Sequence, residues 1–334
     1  LTVITGENGS GKTSLLEAIG YVSTLQSFRK SPREALVRNG AKRAYIRASI
    51  DVESREHLVE IEITPDRRDV VLHNKQRIAR ADELLEALTV TVFTPDDLRL
   101  VKGGPAERRD YLDDLLEAAN PRLAGLRRNL ERILRQRTSL LRQASGRLTE
   151  EIALTLDVWD DQLASTGEQL VTERESIAAA VEPIARDAFS ALTRVPADLE
   201  LSYRRSFVGT LAEALVEHRL EDVRRATTGI GPHHDDLIVS LDGLDARTRL
   251  SQGRQRATTL ALRLGAHQLL TQRHGTPPVL LLDDAFSELD EPTTNQLVHQ
   301  LPAGQAILTT AGPLPQGLRT SSPSLRLDRG AFVG

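Results

Sequence analysis

Gly6-Glu7-Asn8-Gly9-Ser10-Gly11-Lys12-Thr13 follows directly on the run Leu1-Thr2-Val3-Ile4-Thr5 and precedes Ser14-Leu15-Leu16-Glu17-Ala18-Ile19. It satisfies the phosphate-binding loop pattern G-x-x-x-x-G-K-[ST] in full, in the strand, loop, helix order that the pattern requires. Glycines let the backbone curl so that successive N–H groups converge on phosphate oxygens. The helix N-terminus behind them adds partial positive charge. Gly6, Glu7, Asn8, Gly9, Ser10 and Gly11 are therefore candidate phosphate-binding residues. Lys12 would reach the β- and γ-phosphates, and Thr13 would ligate Mg²⁺.

A second element of the same chemistry lies far downstream. Val279-Leu280-Leu281-Leu282 is a continuous apolar run, as expected of a buried parallel strand, and it ends in Asp283-Asp284. Ligands bind outside the carboxyl ends of strands in open α/β sheets. There Asp283 can hold Mg²⁺ directly or through water, and Asp284 can orient or deprotonate an attacking water. Taken alone, the pattern is equally a strand followed by a solvated turn. Beside an intact phosphate loop, the functional reading is favoured.

Ser251-Gln252-Gly253-Arg254-Gln255 combines donor side chains, a glycine that permits close backbone approach, and a helix that continues to about Gln272. The plain alternative is an ordinary helix with Ser251 as its N-cap.

The chain has 334 residues, enough for about two domains. Its formal net charge is −4, so a nucleic-acid surface has to be local rather than global. Cysteine is absent, which excludes a disulfide framework and Cys-based metal sites. No apolar run approaches the roughly 20 residues of a membrane span. The chain begins at Leu1 and contains no Met, which implies truncation upstream.

Tyr45–Val52 and Leu58–Ile63 alternate apolar and polar residues with period two, which predicts half-buried antiparallel strands. A turn at 65–69 leads to a third strand at Val70-Val71-Leu72, and Val90–Phe93 is a fourth. From about 106 to 192 the pattern turns helical. Leu123, Leu126, Leu130, Ile133, Leu140 and Ala144 follow near-heptad spacing, with Arg137 as the odd member, and Ser145-Gly146 breaks it. A second periodic stretch runs from Ile152 to Leu192. This predicts an antiparallel helical hairpin, weakened by polar Thr166 and Glu173 on its seam and kinked at Pro183. Strands return at Leu199–Tyr203 and Leu237–Leu241, and a last one is expected near Leu325–Leu327.

The phosphate loop, Ser-Gln-Gly-Arg-Gln, Leu-Leu-Leu-Asp-Asp and Ser287-Glu288-Leu289-Asp290 occur in the order found in ATP-binding-cassette ATPases. The second resembles the signature sequence of that class, and the fourth resembles its D-loop. Val92–Leu98, Lys102–Asp113 and Gly231-Pro232-His233-His234-Asp235-Asp236-Leu237 narrow the resemblance to the RecF-like family of bacterial DNA repair proteins.

That resemblance implies an α/β fold, an ABC/SMC-type P-loop ATPase head with a mixed sheet, plus a helical lobe containing the antiparallel hairpin. The implied layout is lobe I at 1–94 and 276–334, with lobe II at 95–275. It implies ATP and Mg²⁺ as cofactors, with Thr13 and Asp283 serving the metal. Lys12 and Asp284 would be catalytic, and Ser251, Gln252, Gly253, Arg254 and Gln255 would act in trans across a head-to-tail, ATP-dependent homodimer. Ser287 and Asp290 would belong to the D-loop, and Thr310 would sense the γ-phosphate. The implied partners are gapped or double-stranded DNA, bound without sequence preference, and RecO, RecR and RecA. The implied setting is the cytoplasm, with no membrane.

Two features depart from the family pattern. His234 stands where Arg is usual, and no Gln of the usual Q-loop lies near 93–98. Arg122, Arg127, Arg128, Arg132, Arg135, Arg137, Arg142 and Arg147 make the first hairpin helix locally basic. They suit either phosphate contact or a charge-laced solvated helix. Other classes left open are an ATP-gated nuclease built on a similar head and the ATPase subunit of a transporter.

Overall fold

The computed structural model describes residues 1–52, 55–78, 84, 88–286, 289–312, 318 and 323–333. The chain forms two compact units, one of residues 1–97, 188–196 and 260–334, the other of residues 98–187 and 197–259. Both the long hairpin helix and the helix after Ser251 pass from one unit into the other.

In the first unit a six-stranded sheet has the order β13-β12-β1-β11-β10-β6. These strands are β1 (Thr2–Thr5), β6 (Val90–Phe93), β10 (Val279–Asp283), β11 (Ala306–Thr310), β12 (Ser324–Asp328) and β13 (Ala331–Val333). All neighbours are parallel except the terminal pair β12–β13. The run Leu280–Leu282 is fully buried in β10, between β11 and the edge strand β6. Its continuous apolar character follows from being covered on both faces. Val90–Phe93 belongs here, parallel to β10, and not with the earlier antiparallel strands.

Those earlier strands form a separate sheet of β2 (Ala44–Val52), β3 (Arg55–Ile63), β4 (Val70–His73) and β5 (Gln76–Ile78), antiparallel throughout. Its inner face, with Val59, Ile61, Ile63 and Val71, packs against Tyr21 and Val22 of α1 (Lys12–Thr24). The Tyr21 hydroxyl donates to Asp69 at 2.6 Å, tying α1 to the β3–β4 turn.

In the second unit, α2 (Pro105–Ala119) begins with a proline in its first turn. Pro121 then separates it from α3 (Ala124–Ala144) by a single tight turn. Ser145 and Gly146 adopt φ of 48° and 78°, which reverses the chain into α4 (Glu150–Thr193). The hairpin therefore comprises 124–144 and 150–193, with 105–119 a distinct helix before it.

The arms are antiparallel. Asn129 meets Thr166, Arg137 meets Asp160 further along, and Leu141 and Leu156 share a core cluster towards the tip. Helix α4 is continuous through Pro183. Of the two polar seam positions, Thr166 accepts from the Asn129 amide, and the neighbour of Glu173, Arg174, turns inward. A three-stranded sheet of β7 (Leu199–Arg204), β8 (Asp236–Leu241) and β9 (Leu244–Asp245) completes the unit with α5 (Leu211–Arg225). No described helix is long and apolar enough to cross a membrane.

Candidate nucleotide site

The phosphate loop leaves β1 and enters α1. Gly9 and Gly11 hold φ of 81° and 103°, a region that side chains disfavour. Gly6 is required for a different reason, since a Cβ there would lie 2.4 Å from the Leu327 carbonyl oxygen.

Lys12 is buried, and its ammonium group donates to the carbonyls of Gly6 (2.7 Å) and Glu7 (2.9 Å) across the loop. Positive charge thus sits inside the curl, beside the first amides of α1, which have no preceding helical carbonyl to bond. The Ser10 hydroxyl is buried with no partner. A ring of donors, an unsatisfied hydroxyl and a caged ammonium suit a phosphate chain.

Asp283 closes the other side. The Thr13 hydroxyl donates to Asp283 Oδ1 at 3.0 Å, and the Thr309 hydroxyl donates to the same oxygen at 2.7 Å. The strand register, Asp283 beside Thr309 and Thr309 beside Ile4, places both groups level with the start of the loop. A hydroxyl and a buried carboxylate so close suit Mg²⁺, which takes one or two protein oxygens and completes its shell with phosphate and water. Among the described residues no cluster of three or more His, Cys, Asp or Glu could hold a metal alone.

Asp284 follows at φ 48°, its amide donating to Thr309 O at 3.1 Å and to Thr309 Oγ1 at 3.2 Å. Thr309 was not among the residues expected from sequence. Thr310, which was, has its hydroxyl engaged locally with the amide of Gly312 at 3.1 Å.

The Ser251–Gln255 stretch opens α6 (Gln252–His274). Ser251, Gln252 and Gly253 are exposed, and a Cβ on Gly253 would meet nothing within 4 Å. Ser251 accepts weakly from the Arg254 amide at 3.4 Å. Arg254 pairs with Asp242 at 2.6 Å. Gln255 faces inward, donating to the carbonyls of Ala246 and Arg247 at 3.0 Å each, so it supports the stretch from within. Of the expected D-loop, Ser287 and Glu288 lie outside the described residues. Asp290 caps α7 (Glu291–Gln300) by accepting from the Thr293 amide at 2.9 Å, and hydrogen bonding from the Thr293 side chain first, then from that amide, holds its pKa below the ordinary value.

The Gly231–Leu237 motif is anchored by buried arginines. Arg108 forms a two-pronged pair with Asp236, at 2.7 and 3.0 Å. Arg174 does the same with Asp113, at 2.6 and 2.7 Å, and donates to Pro232 O at 2.7 Å. Tyr203 donates to Asp235 at 2.8 Å. His233 and His234 lie with ring centroids 4.2 Å apart, each with Nε2 near the Thr228 carbonyl. Burial, then the neighbouring His234, pushes the His233 pKa down to about 4.

Arg137 corrects the sequence expectation for the basic helix. It is fully buried and bound to Asp160, Asp222 and Thr228 at 2.7, 2.7 and 2.9 Å, so it is unable to touch DNA. Arg127 is likewise engaged, with Asp110, Asp114 and Glu131. Arg122, Arg128, Arg132, Arg135, Arg142 and Arg147 are exposed.

Residues 1–310 match the family model described as RecF/RecN/SMC N terminal domain. The chain is 38% identical to the DNA replication and repair protein RecF of Streptomyces avermitilis, over 93% of this chain and 87% of that one. It is 40% identical to the RecF of Kineococcus radiotolerans, over 95% and 89%. Among solved structures it is similar to the recombination mediator protein RecF with ATP, of the RecFOR pathway, with TM-score 0.89, 25% identity and coverage of 99% and 90%. An SMC head bound to the C-terminal winged-helix domain of ScpA shares the fold, with TM-score 0.54, 15% identity and coverage of 99% and 88%. With the phosphate loop, the Asp-Asp strand and these matches together, the chain belongs to the RecF family and has the ABC/SMC-type ATPase head fold.

Proposed function

We propose that this chain is an ATP-dependent DNA-binding protein of recombinational repair and replication restart, which dimerises head to tail on ATP and hydrolyses it slowly as a timer for release. The observation that carries the reading is the Thr13–Asp283 hydrogen bond, which joins two motifs 270 residues apart into one polar site. Relatives named DNA replication and repair protein RecF, and a RecF solved with ATP, support the choice of nucleotide and setting.

In this reading Gly6–Gly11 and the first amides of α1 cradle the phosphates. Lys12 leaves the Gly6 and Glu7 carbonyls for phosphate oxygens. Thr13 and Asp283 would hold Mg²⁺, which when bound neutralises phosphate charge. Asp284 takes the proton of a water whose oxygen attacks the γ-phosphorus. The bond from that phosphorus to the bridging oxygen breaks, leaving ADP and phosphate. Ser251, Gln252, Gly253 and Arg254 of a second copy complete the site, aided by Ser287 and Asp290, with Thr310 sensing the γ-phosphate. DNA at gaps is bound through its backbone, in the cytoplasm, and RecO and RecR join in loading RecA.

The test is Lys12→Ala, assayed by nucleotide binding and by light scattering with ATP, ADP or no nucleotide, each with and without gapped DNA. Loss of nucleotide binding and of the ATP-dependent change in mass is expected. A variant that binds ATP and dimerises like the parent would remove the phosphate-loop assignment.

A further inference from the structure

We propose that the C-terminal hairpin, β12–β13, is a working part of the nucleotide site: its turn at Arg329-Gly330 clamps the phosphate loop in the shape that receives nucleotide. This rests on the reading of Gly6–Thr13 as the phosphate loop and adds a positioning element to it.

Three contacts converge there. The Gly330 amide donates to the Ser10 carbonyl at 2.8 Å. The Leu327 carbonyl occupies the space beside Gly6, where a Cβ would come within 2.4 Å. A Cβ on Gly11 would sit 3.5 Å from the Gly330 Cα. The hairpin thus meets the loop at its first residue, Gly6, and again at the adjacent Ser10 and Gly11 before the helix.

The approach is fixed by topology. β12 runs parallel to β1, with Val3 beside Ser324 and Thr5 beside Arg326, so both strands deliver their next residues to the same end of the sheet. Beyond β1 that is the phosphate loop, and beyond β12 it is the turn. Arg329 and Gly330 have φ of 48° and 79°. Two consecutive left-handed residues make the two-residue hairpin whose twist matches its strands. The Gly330 amide is turned onto Ser10 by that conformation.

A loop held in its binding shape binds more tightly than one that samples others, because apparent affinity scales with the populated fraction of the competent form. The clamp acts through backbone, so Gly330 is the sensitive position and the Arg329 side chain is not.

The experiment uses the full chain and a fluorescent ATP analogue with Mg²⁺. Gly330→Ala forces a side chain into the left-handed region and is expected to raise the analogue's Kd about five-fold, within the range of that conformational penalty. Gly330→Asn, which tolerates the same φ and keeps the amide, is expected to restore most of the affinity. Arg329→Gly is expected to bind like the parent. Amide hydrogen exchange without nucleotide should be faster across residues 6–12 in Gly330→Ala and not in Gly330→Asn. A lower melting temperature in Gly330→Ala with Kd and loop exchange unchanged would overturn the clamp, leaving the hairpin as sheet edge alone. A raised Kd in Arg329→Gly would overturn it in favour of a side-chain contact. Lys12→Ala run alongside separates the two levels, since failure there removes the phosphate loop itself and not only its clamp.

Discussion

Asp284 occupies the left-handed region at φ 48° directly after β10. Such a conformation costs an L-residue about 1–2 kcal/mol, and Thr309 offsets it by accepting the Asp284 amide while donating to Asp283. One hydroxyl with a donor and two lone pairs serves both carboxylate residues. The phosphate loop and the Asp-Asp strand were legible in the sequence because each is a local pattern. Thr309 was not, because only strand register decides which of two adjacent threonines meets Asp283. Asp284→Asn keeps size and tolerates the same backbone, yet is unable to accept a proton as a carboxylate does. Single-turnover phosphate release is expected to fall at least about 100-fold, the usual contribution of a general base, while nucleotide binding stays within a few-fold. Turnover at the parent's rate would take Asp284 out of that role.

At the scale of elements, the hairpin α3–α4 was legible from apolar spacing, but the meaning of Arg137 was not. Spacing placed it on the seam, while its charge suggested a solvated face. Its partners Asp222 and Thr228 lie 85 and 91 residues further on, beyond the hairpin, so no pattern within the helix reveals them. Asp160 also accepts from Arg219 of α5 at 2.8 Å, so the network binds both hairpin arms to α5. Removing the cation leaves buried Asp222 without its ion-pair partner, while Asp160 keeps only Arg219, so Arg137→Met is expected to destabilise the fold by about 3–5 kcal/mol. Adding Asp160→Asn and Asp222→Asn should recover a good part of that loss, because an apolar or neutral replacement of a whole buried network is tolerated better than half of one. Denaturant unfolding of the single and triple variants measures both. A loss below about 1 kcal/mol in Arg137→Met would mean that apolar packing alone holds the hairpin.

For the whole molecule, two histidines, His267 fully buried and His233 half-buried, shape the response to acid. His233 and His267 are each held at about 4, below the ordinary 6.5, by burial first of all. Between those values the unfolded chain binds more protons, so stability is full above about pH 6.5 and falls towards pH 4, by at most about 1.4 kcal/mol per pH unit for each group. Glu117 has the opposite sign. Burial raises it from 4.5 to about 7, so the folded chain gains stability as pH falls across that window. The net expectation is a lower unfolding midpoint at pH 5 than at pH 7, and a steeper loss in Glu117→Gln; a flatter profile in that variant would reject the sign given to Glu117. Association is the other property of the whole molecule. With a net charge of −4, two copies repel weakly at long range, so the proposed dimer would have to be held by short-range contacts. Ser251, Gln252 and Gly253 are exposed, and nothing crowds Gly253, so this surface is open to a second copy. Ser251→Arg places a bulky cation there at little cost to folding, because the capping bond it removes is long, 3.4 Å. The variant is expected to bind nucleotide as a monomer within a few-fold of the parent and to lose the ATP-dependent dimer, read by light scattering in ATP and in ADP. A dimer that persists would place the Ser251 stretch away from the interface, and loss of nucleotide binding by the monomer would mean that it acts on its own chain's site.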